Sequence, residues 1–219
     1  MKRYDTYLFD LDGTITDTTG VWLQIFRDCL AELSIDTTSM PDDEIAKHTH
    51  DWKAVINLGV NEADITTFAE HAKALASKRL PDASMFPGAY ETLENIRAKG
   101  KHVGIYSTMD RPIFEPAITH NKLDAVSEIS IAGTDVVNRK PAPDGIFMVL
   151  DKLGIGKEDY GTVMYMGDKD TDIQAAHNAG VDAILFYPAA HQMIYDKEAT
   201  MSHQPTTVLT DWQELLESL

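Results

Sequence analysis

The chain has 219 residues, 43% hydrophobic and 25% charged, a profile that fits a soluble globular protein with room for one sizeable core and a smaller unit beside it. Its 19 Lys and Arg face 35 Asp and Glu, and the net charge of −16 argues against nucleic acid or an anionic membrane surface as the main partner. One cysteine, Cys29, permits no internal disulfide, "FDLD" arrives too early for a signal peptide, and no apolar run would span a bilayer, so a cytoplasmic protein is expected.

The first predicted element is the strand "TYLF", which runs straight into "DLDGT". Residues i and i+2 of a strand share a face, so this spacing predicts that Asp10 and Asp12 crowd together where the chain loosens at Gly13. Two carboxylates that close need a cation between them or a proton on one, and both remedies point to chemistry.

From about Thr18 to Arg79 the pattern is almost wholly helical. It holds an amphipathic segment from Val21 to Leu33, a shorter one after Pro41, another around Trp52 to Leu58, and a long one from Glu62 to Arg79 with Asn61 and Asp64 at its start. Cys29 shares an apolar face with Trp22, Ile25, Phe26, Leu30 and Leu33 and reads as core. His48 and His50 have no third ligand in view and read as exposed polar residues. Trp52 reads as a core anchor, with Trp52 and Lys53 lining a substrate face as the alternative.

After "LPDAS", strands and helices alternate. Helix "GAYETLENIRAKG" leads to strand "HVGIYS", strand "EISIAG" to helix "DGIFMVLDKLG", strand "TVMYMG" to helix "DTDIQAAHNAG", and strand "DAILFY" follows. The C-terminal "PTTVLTDWQELLESL" reads as a last strand and helix of structural character. Short apolar strands between helices predict a parallel sheet covered on both faces. The simplest architecture is an open α/β core, residues 1–14 and 85–219, interrupted by an all-helical insertion, residues 15–84.

In such sheets ligands gather outside the carboxyl ends of the strands. Asp10 and Asp12 follow the first strand, Ser107 and Thr108 follow "HVGIY", Lys140 lies between "EISIAG" and the next helix, and Asp168, Asp170 and Asp172 follow "TVMYMG". Singly, each has an ordinary reading. Ser107 and Thr108 could cap a helix, Asp110 is the better cap with Pro112 in the first turn, Lys140 could be surface charge, and Asp170 and Asp172 could be first-turn acids. His177 reads as surface. Together, the carboxylates, hydroxyl and ammonium are the parts for holding Mg²⁺ against a phosphoryl group.

"DLDGTITDT", "VGIYST", "RKPAPD" and "GDKDTDIQAAHNAG" resemble the four successive motifs of the haloacid dehalogenase (HAD) superfamily. The subgroup is the one with a helical cap inserted after the first motif, which includes phosphoglycolate phosphatases and β-phosphoglucomutases. The resemblance implies a Rossmann-like core and a Mg²⁺-dependent phosphatase that hydrolyses a small phosphorylated metabolite through an aspartyl phosphate. It makes Asp10 the nucleophile and Asp12 the general acid and base. Ser107, Thr108 and Lys140 become the phosphate holders, Asp10, Asp168 and the Asp12 carbonyl the metal ligands, and Asp172 their support. Asp170 has no such counterpart.

The alternatives are a sugar phosphomutase of the β-phosphoglucomutase type and, from another class, a receiver-like signalling module, which lacks a large helical insertion after the first strand. Dehalogenases proper lack the second acid, and Asp12 argues against their reaction. Mutases of this group carry a His on the first cap helix; here that place falls at Trp22, which cannot shuttle a proton and reads as cap packing. The substrate and the oligomeric state stay open.

Overall fold

The computed structural model describes residues 2–49 and 52–219, and of Trp52 the backbone alone. Six strands form one sheet: β1 (Thr6–Phe9), β2 (His102–Tyr106), β3 (Ile129–Ile131), β4 (Val163–Gly167), β5 (Asp182–Phe186) and β6 (Thr207–Leu209). Every pairing is parallel and the spatial order is β3-β2-β1-β4-β5-β6. The order reverses between β1 and β4, which opens a crevice at their carboxyl ends.

The central strands β1, β2, β4 and β5 are buried on both faces, as the short apolar runs require, while the edge strands β3 and β6 are partly buried. Tyr7 and Phe9 of β1, Val103 and Ile105 of β2, and Met164 and Met166 of β4 point into one core with Leu93, Phe114 and Trp212. Leu8, Tyr106 and Tyr165 point into the opposite core with Ile146, Val149 and Ile173. The first core lies under α4 (Ala89–Ala98), α5 (Arg111–His120) and α9 (Trp212–Ser218); the second lies under α6 (Asp144–Leu153) and α7 (Asp170–Ala179).

Between β1 and α4 the chain leaves the sheet for a helical layer comprising α1 (Thr19–Glu32), α2 (Asp42–Ala46) and α3 (Ile65–Arg79). Phe68, Ala72 and Ala76 fall four apart on one face of α3, and the two alanines let the chain approach α1 closely. Phe26 of α1 meets Phe68 edge-on, with centroids 5.1 Å apart. Cys29 is buried in this third core, as its apolar helical spacing predicts.

Two predicted helices differ in kind. Trp52–Leu58 is a 3-10 segment, and the long helix begins with a 3-10 turn, Glu62–Asp64, before turning α at Ile65. Asn61 stands before that turn, but its amide bonds the Asp64 carboxylate at 3.3 Å and does not cap the helix. His177 is exposed, His48 half-buried and Lys53 exposed, while His50 lies outside the described residues. Among the described residues no helix is long and apolar enough to cross a membrane.

Candidate active site

β1 ends at Phe9, and the chain then turns tightly, with the amides of Thr14, Ile15 and Thr16 all donating to the Leu11 carbonyl. The Asp10 amide still donates to the Met166 carbonyl of β4 at 2.8 Å, so the strand's hydrogen bonding reaches Asp10, and further acids gather there from β4 and α7. Asp10, Asp168 and Asp172 are the acids whose ligand oxygens lie within 4.8 Å of one another, all three buried. Asp12 instead accepts from the Thr18 hydroxyl at 2.5 Å and from the Trp22 indole N–H at 3.2 and 3.3 Å. Gly13 makes the turn possible: its φ is +81°, and a Cβ there would stand 2.6 Å from an Asp168 carboxylate oxygen.

Lys140 reaches this cluster with its side chain only 3% exposed. Its ammonium donates to Asp10 at 2.8 Å, to Asp172 at 2.6 Å and to the Tyr165 hydroxyl at 2.8 Å, and that hydroxyl donates in turn to the Tyr106 carbonyl at 2.8 Å. Burial alone would lower the Lys140 pKa, but the flanking Asp10 and Asp172 charges raise it above its ordinary value. Burial pushes the Asp10 carboxyl up to about 7, with Lys140 pulling the other way and Asp172 and Asp168 adding to the rise. Asp168 is pushed up to about 6 by burial first, against the pull of Lys169.

Asp172 has a second task. Its other oxygen accepts the amides of Asp168 and Lys169 at 3.1 and 2.9 Å, tying the end of β4 to the first turn of α7. Asp170 sits in that turn as a first-turn acid and accepts the Thr171 amide at 2.8 Å. Ser107 follows β2 and is 1% exposed, its hydroxyl 3.4 Å from the Met109 amide. Thr108 borders the cavity, and its carbonyl accepts from Arg139 at 3.1 Å. Asp110 holds the cap position of α5, with Pro in the first turn, but its carboxylate pairs with Arg139 at 2.5 Å and makes no cap hydrogen bond.

Above the cluster, between sheet and helical layer, lies a cavity of about 250 Å³. The helical layer contributes Trp22, Thr49 and Lys73 to its wall, and the core contributes Asp12, Thr108 and Lys169. Trp22 is thus more than the cap packing its apolar face predicts, because its N–H edge is turned onto Asp12. A signal for this existed: Thr18 and Trp22 are four residues apart at the start of a helix and so share a face. Tyr165 and Tyr195 carried no comparable signal, since each reaches the acids through the tertiary fold; the Tyr195 hydroxyl donates to Asp168 at 2.6 Å.

The donor set suits a hard divalent cation. Asp10, Asp12, Asp168 and Asp172 bring four carboxylates against the two ammonium groups of Lys140 and Lys169, an excess of two negative charges in a largely buried place. Gly13 adds the open cradle beside Asp168 that a side chain would fill.

Known proteins are similar to this chain in sequence and in fold. The chain is 25% identical over 223 residues to the pyrophosphatase PpaX of Bacillus mycoides, covering 99% of this chain and 97% of that one. It is 24% identical over 220 residues to the phosphoglycolate phosphatase of Yersinia pestis, covering 96% and 91%. The crystal structure of a HAD-superfamily hydrolase of subfamily IA, variant 1, from Geobacter sulfurreducens shares the fold with a TM-score of 0.73 at 17% identity, over 99% of this chain and 96% of that one. The family model of haloacid dehalogenase-like hydrolases matches residues 7–186, from β1 through β5, and the chain belongs to that family.

Proposed function

We propose that the protein is a Mg²⁺-dependent phosphatase that hydrolyses a small phosphomonoester metabolite through a phosphoryl group carried on Asp10. The observation that carries this reading is the buried Lys140 ammonium shared between Asp10 and Asp172, with Asp168 beside them, next to the cavity that Asp12, Gly13 and Lys169 line. One ammonium on the nucleophile leaves the second Asp10 oxygen for attack and supplies positive charge where a phosphoryl group would arrive. Bound Mg²⁺, held by Asp10, Asp168 and the Asp12 carbonyl, would neutralise phosphoryl charge that otherwise repels a carboxylate.

The Asp10 oxygen attacks phosphorus, and the bond from phosphorus to the leaving oxygen breaks as Asp12 gives that oxygen a proton. Asp12 then takes a proton from water, whose oxygen attacks the phosphoryl group. The Asp10–phosphorus bond breaks, phosphate leaves and the carboxylate is restored. Ser107 and Thr108 offer hydroxyl donors to the phosphoryl oxygens, and Asp172 keeps Lys140 in place.

The division into a core, residues 1–14 and 85–219, and a helical cap, residues 15–84, belongs to the same proposal. Its support is a pair of linkers lying side by side: the Asp17 amide donates to Ser84 at 2.8 Å and the Phe86 amide to Ile15 at 2.9 Å. A cap hinged there would shut water out during phosphoryl transfer. The single buried cysteine supports a cytoplasmic setting.

The test is a screen of phosphorylated metabolites with Mg²⁺, read as released phosphate, with inorganic pyrophosphate and phosphoglycolate included because the relatives are named for them. β-Glucose 1-phosphate with a trace of the bisphosphate is run alongside. Release of stoichiometric phosphate from at least one monoester is expected. Conversion to glucose 6-phosphate with almost no free phosphate would replace the hydrolase reading by the mutase, and no turnover of any phosphoester would remove both.

A further inference from the structure

The connection from β5 to β6 does not take the short route across the sheet edge. It carries a 3-10 turn, Ala189–Met193, and the short helix α8 (Lys197–Met201), and it brings Tyr195 back over the carboxyl end of β4. The backbone there is fixed from several sides. The His191 carbonyl accepts the amides of Ile194 and Tyr195, both at 3.0 Å, and the Tyr187 hydroxyl donates to the Tyr195 carbonyl at 2.8 Å. The His191 ring, 1% exposed, stands edge-on to Tyr195 at 5.4 Å and to Phe86 at 5.8 Å. The turn Ala189–Met193 also packs against α2 of the helical layer. A tyrosine anchored this way has little freedom to move its hydroxyl.

That hydroxyl donates to Asp168 Oδ2 at 2.6 Å, while Oδ1 faces the Thr14 hydroxyl at the longer distance of 3.4 Å. A carboxylate that ligates a metal through one oxygen can still swing about its own bond, and a donor fixed on the other oxygen stops that motion and selects the ligating lone pairs. We propose that Tyr195 is a positioning residue for Asp168, the device by which the β5–β6 connection sets the metal affinity of this site. The inference rests on the reading of Asp168 as a metal ligand given under the proposed function. Asp172 reaches Asp168 only through its backbone amide, so among the described hydrogen bonds Tyr195 holds the carboxylate most closely.

The test uses the full chain stripped of metal, with Mn²⁺ as the probe and the electron paramagnetic signal of free Mn²⁺ as the readout, without substrate. Tyr195→Phe removes the hydroxyl and keeps the ring. Its Mn²⁺ dissociation constant is expected to rise roughly 10- to 100-fold over wild type, the range seen when an outer partner of a metal ligand is removed. The Mg²⁺ concentration for half-maximal p-nitrophenyl phosphate hydrolysis should rise by a similar factor, whereas a merely structural residue would lower kcat and move neither constant. Melting in chelator checks that the variant folds. Should it fall by more than about 10 °C, the comparison passes to Tyr187→Phe, which only frees the Tyr195 carbonyl and should weaken Mn²⁺ by roughly 3- to 10-fold. Unchanged Mn²⁺ affinity in a folded variant overturns the role of Tyr195 and leaves the phosphatase reading standing. Absence of Mn²⁺ binding by the wild-type protein overturns the metal reading itself.

Discussion

At the scale of single residues the site is a problem of buried charge. Asp10 is 3% exposed and its carboxyl is pushed up to about 7 from an ordinary 3.8, chiefly by burial. An acid with a raised folded pKa holds a proton that the unfolded chain has already lost, so stability falls as pH rises through that window. His191, which burial lowers to about 4 from 6.5, works in the opposite direction, but only below about pH 6.5. The Asp10 window runs from about pH 3.8 to about 7 and is free of His191 only above about pH 6.5, so between pH 6.5 and 8 the melting temperature of the metal-free protein should fall by roughly 2–3 °C in all and level off above pH 7. Asp10→Asn has nearly the same shape but cannot titrate or attack phosphorus. It is expected to flatten that fall and to abolish steady-state phosphate release. Melting curves at the two pH values and a phosphate assay read both effects, and near wild-type turnover would show that Asp10 is not the nucleophile.

At the scale of elements, α1 does two jobs with one helix. Ile25, Phe26, Cys29 and Leu30 bury its inner face against α3, while its N-terminal end, with Thr18 at the cap position, presents Thr18 and Trp22 to Asp12. The two jobs can be separated at Trp22. Trp22→Phe keeps an aromatic ring in the helical layer and removes the N–H that reaches both Asp12 oxygens. A hydrogen bond to a charged group contributes about 1.5–3 kcal/mol, so kcat/KM should fall about tenfold or more while the melting temperature moves by no more than about 2 °C. A melting temperature that drops with unchanged kcat/KM would return Trp22 to packing alone. The helical periodicity shows which residues of α1 are apolar. It does not show that the polar edge of an indole on that face would meet an acid from another element, because that contact depends on how the layer sits over the sheet.

At the scale of the whole molecule, a net charge of −16 surrounds a pocket proposed to take an anion, and the local excess of negative charge at the acids makes a divalent cation the natural complement. Phosphate release should disappear in excess chelator and return with added Mg²⁺, and the melting temperature of the chelated protein at about pH 8 should rise on adding the ion, since a ligand that binds only the folded state stabilises it. Full activity in chelator would refute the metal requirement. The sequence by itself determined the alternation of short apolar strands with helices, the helical insertion after the first strand, and the order of the four polar motifs, because periodicity and strand-end position are local properties of a chain. It also pointed to Lys140 and the acids after β4 by their place in that order. Tertiary structure alone decided which of them meet. Asp10 crowds with Asp168 and Asp172, since the topological switch between β1 and β4 brings distant strand ends together. Tyr165 and Tyr195 join them through contacts 25 and 27 residues apart in the chain, which no local pattern encodes.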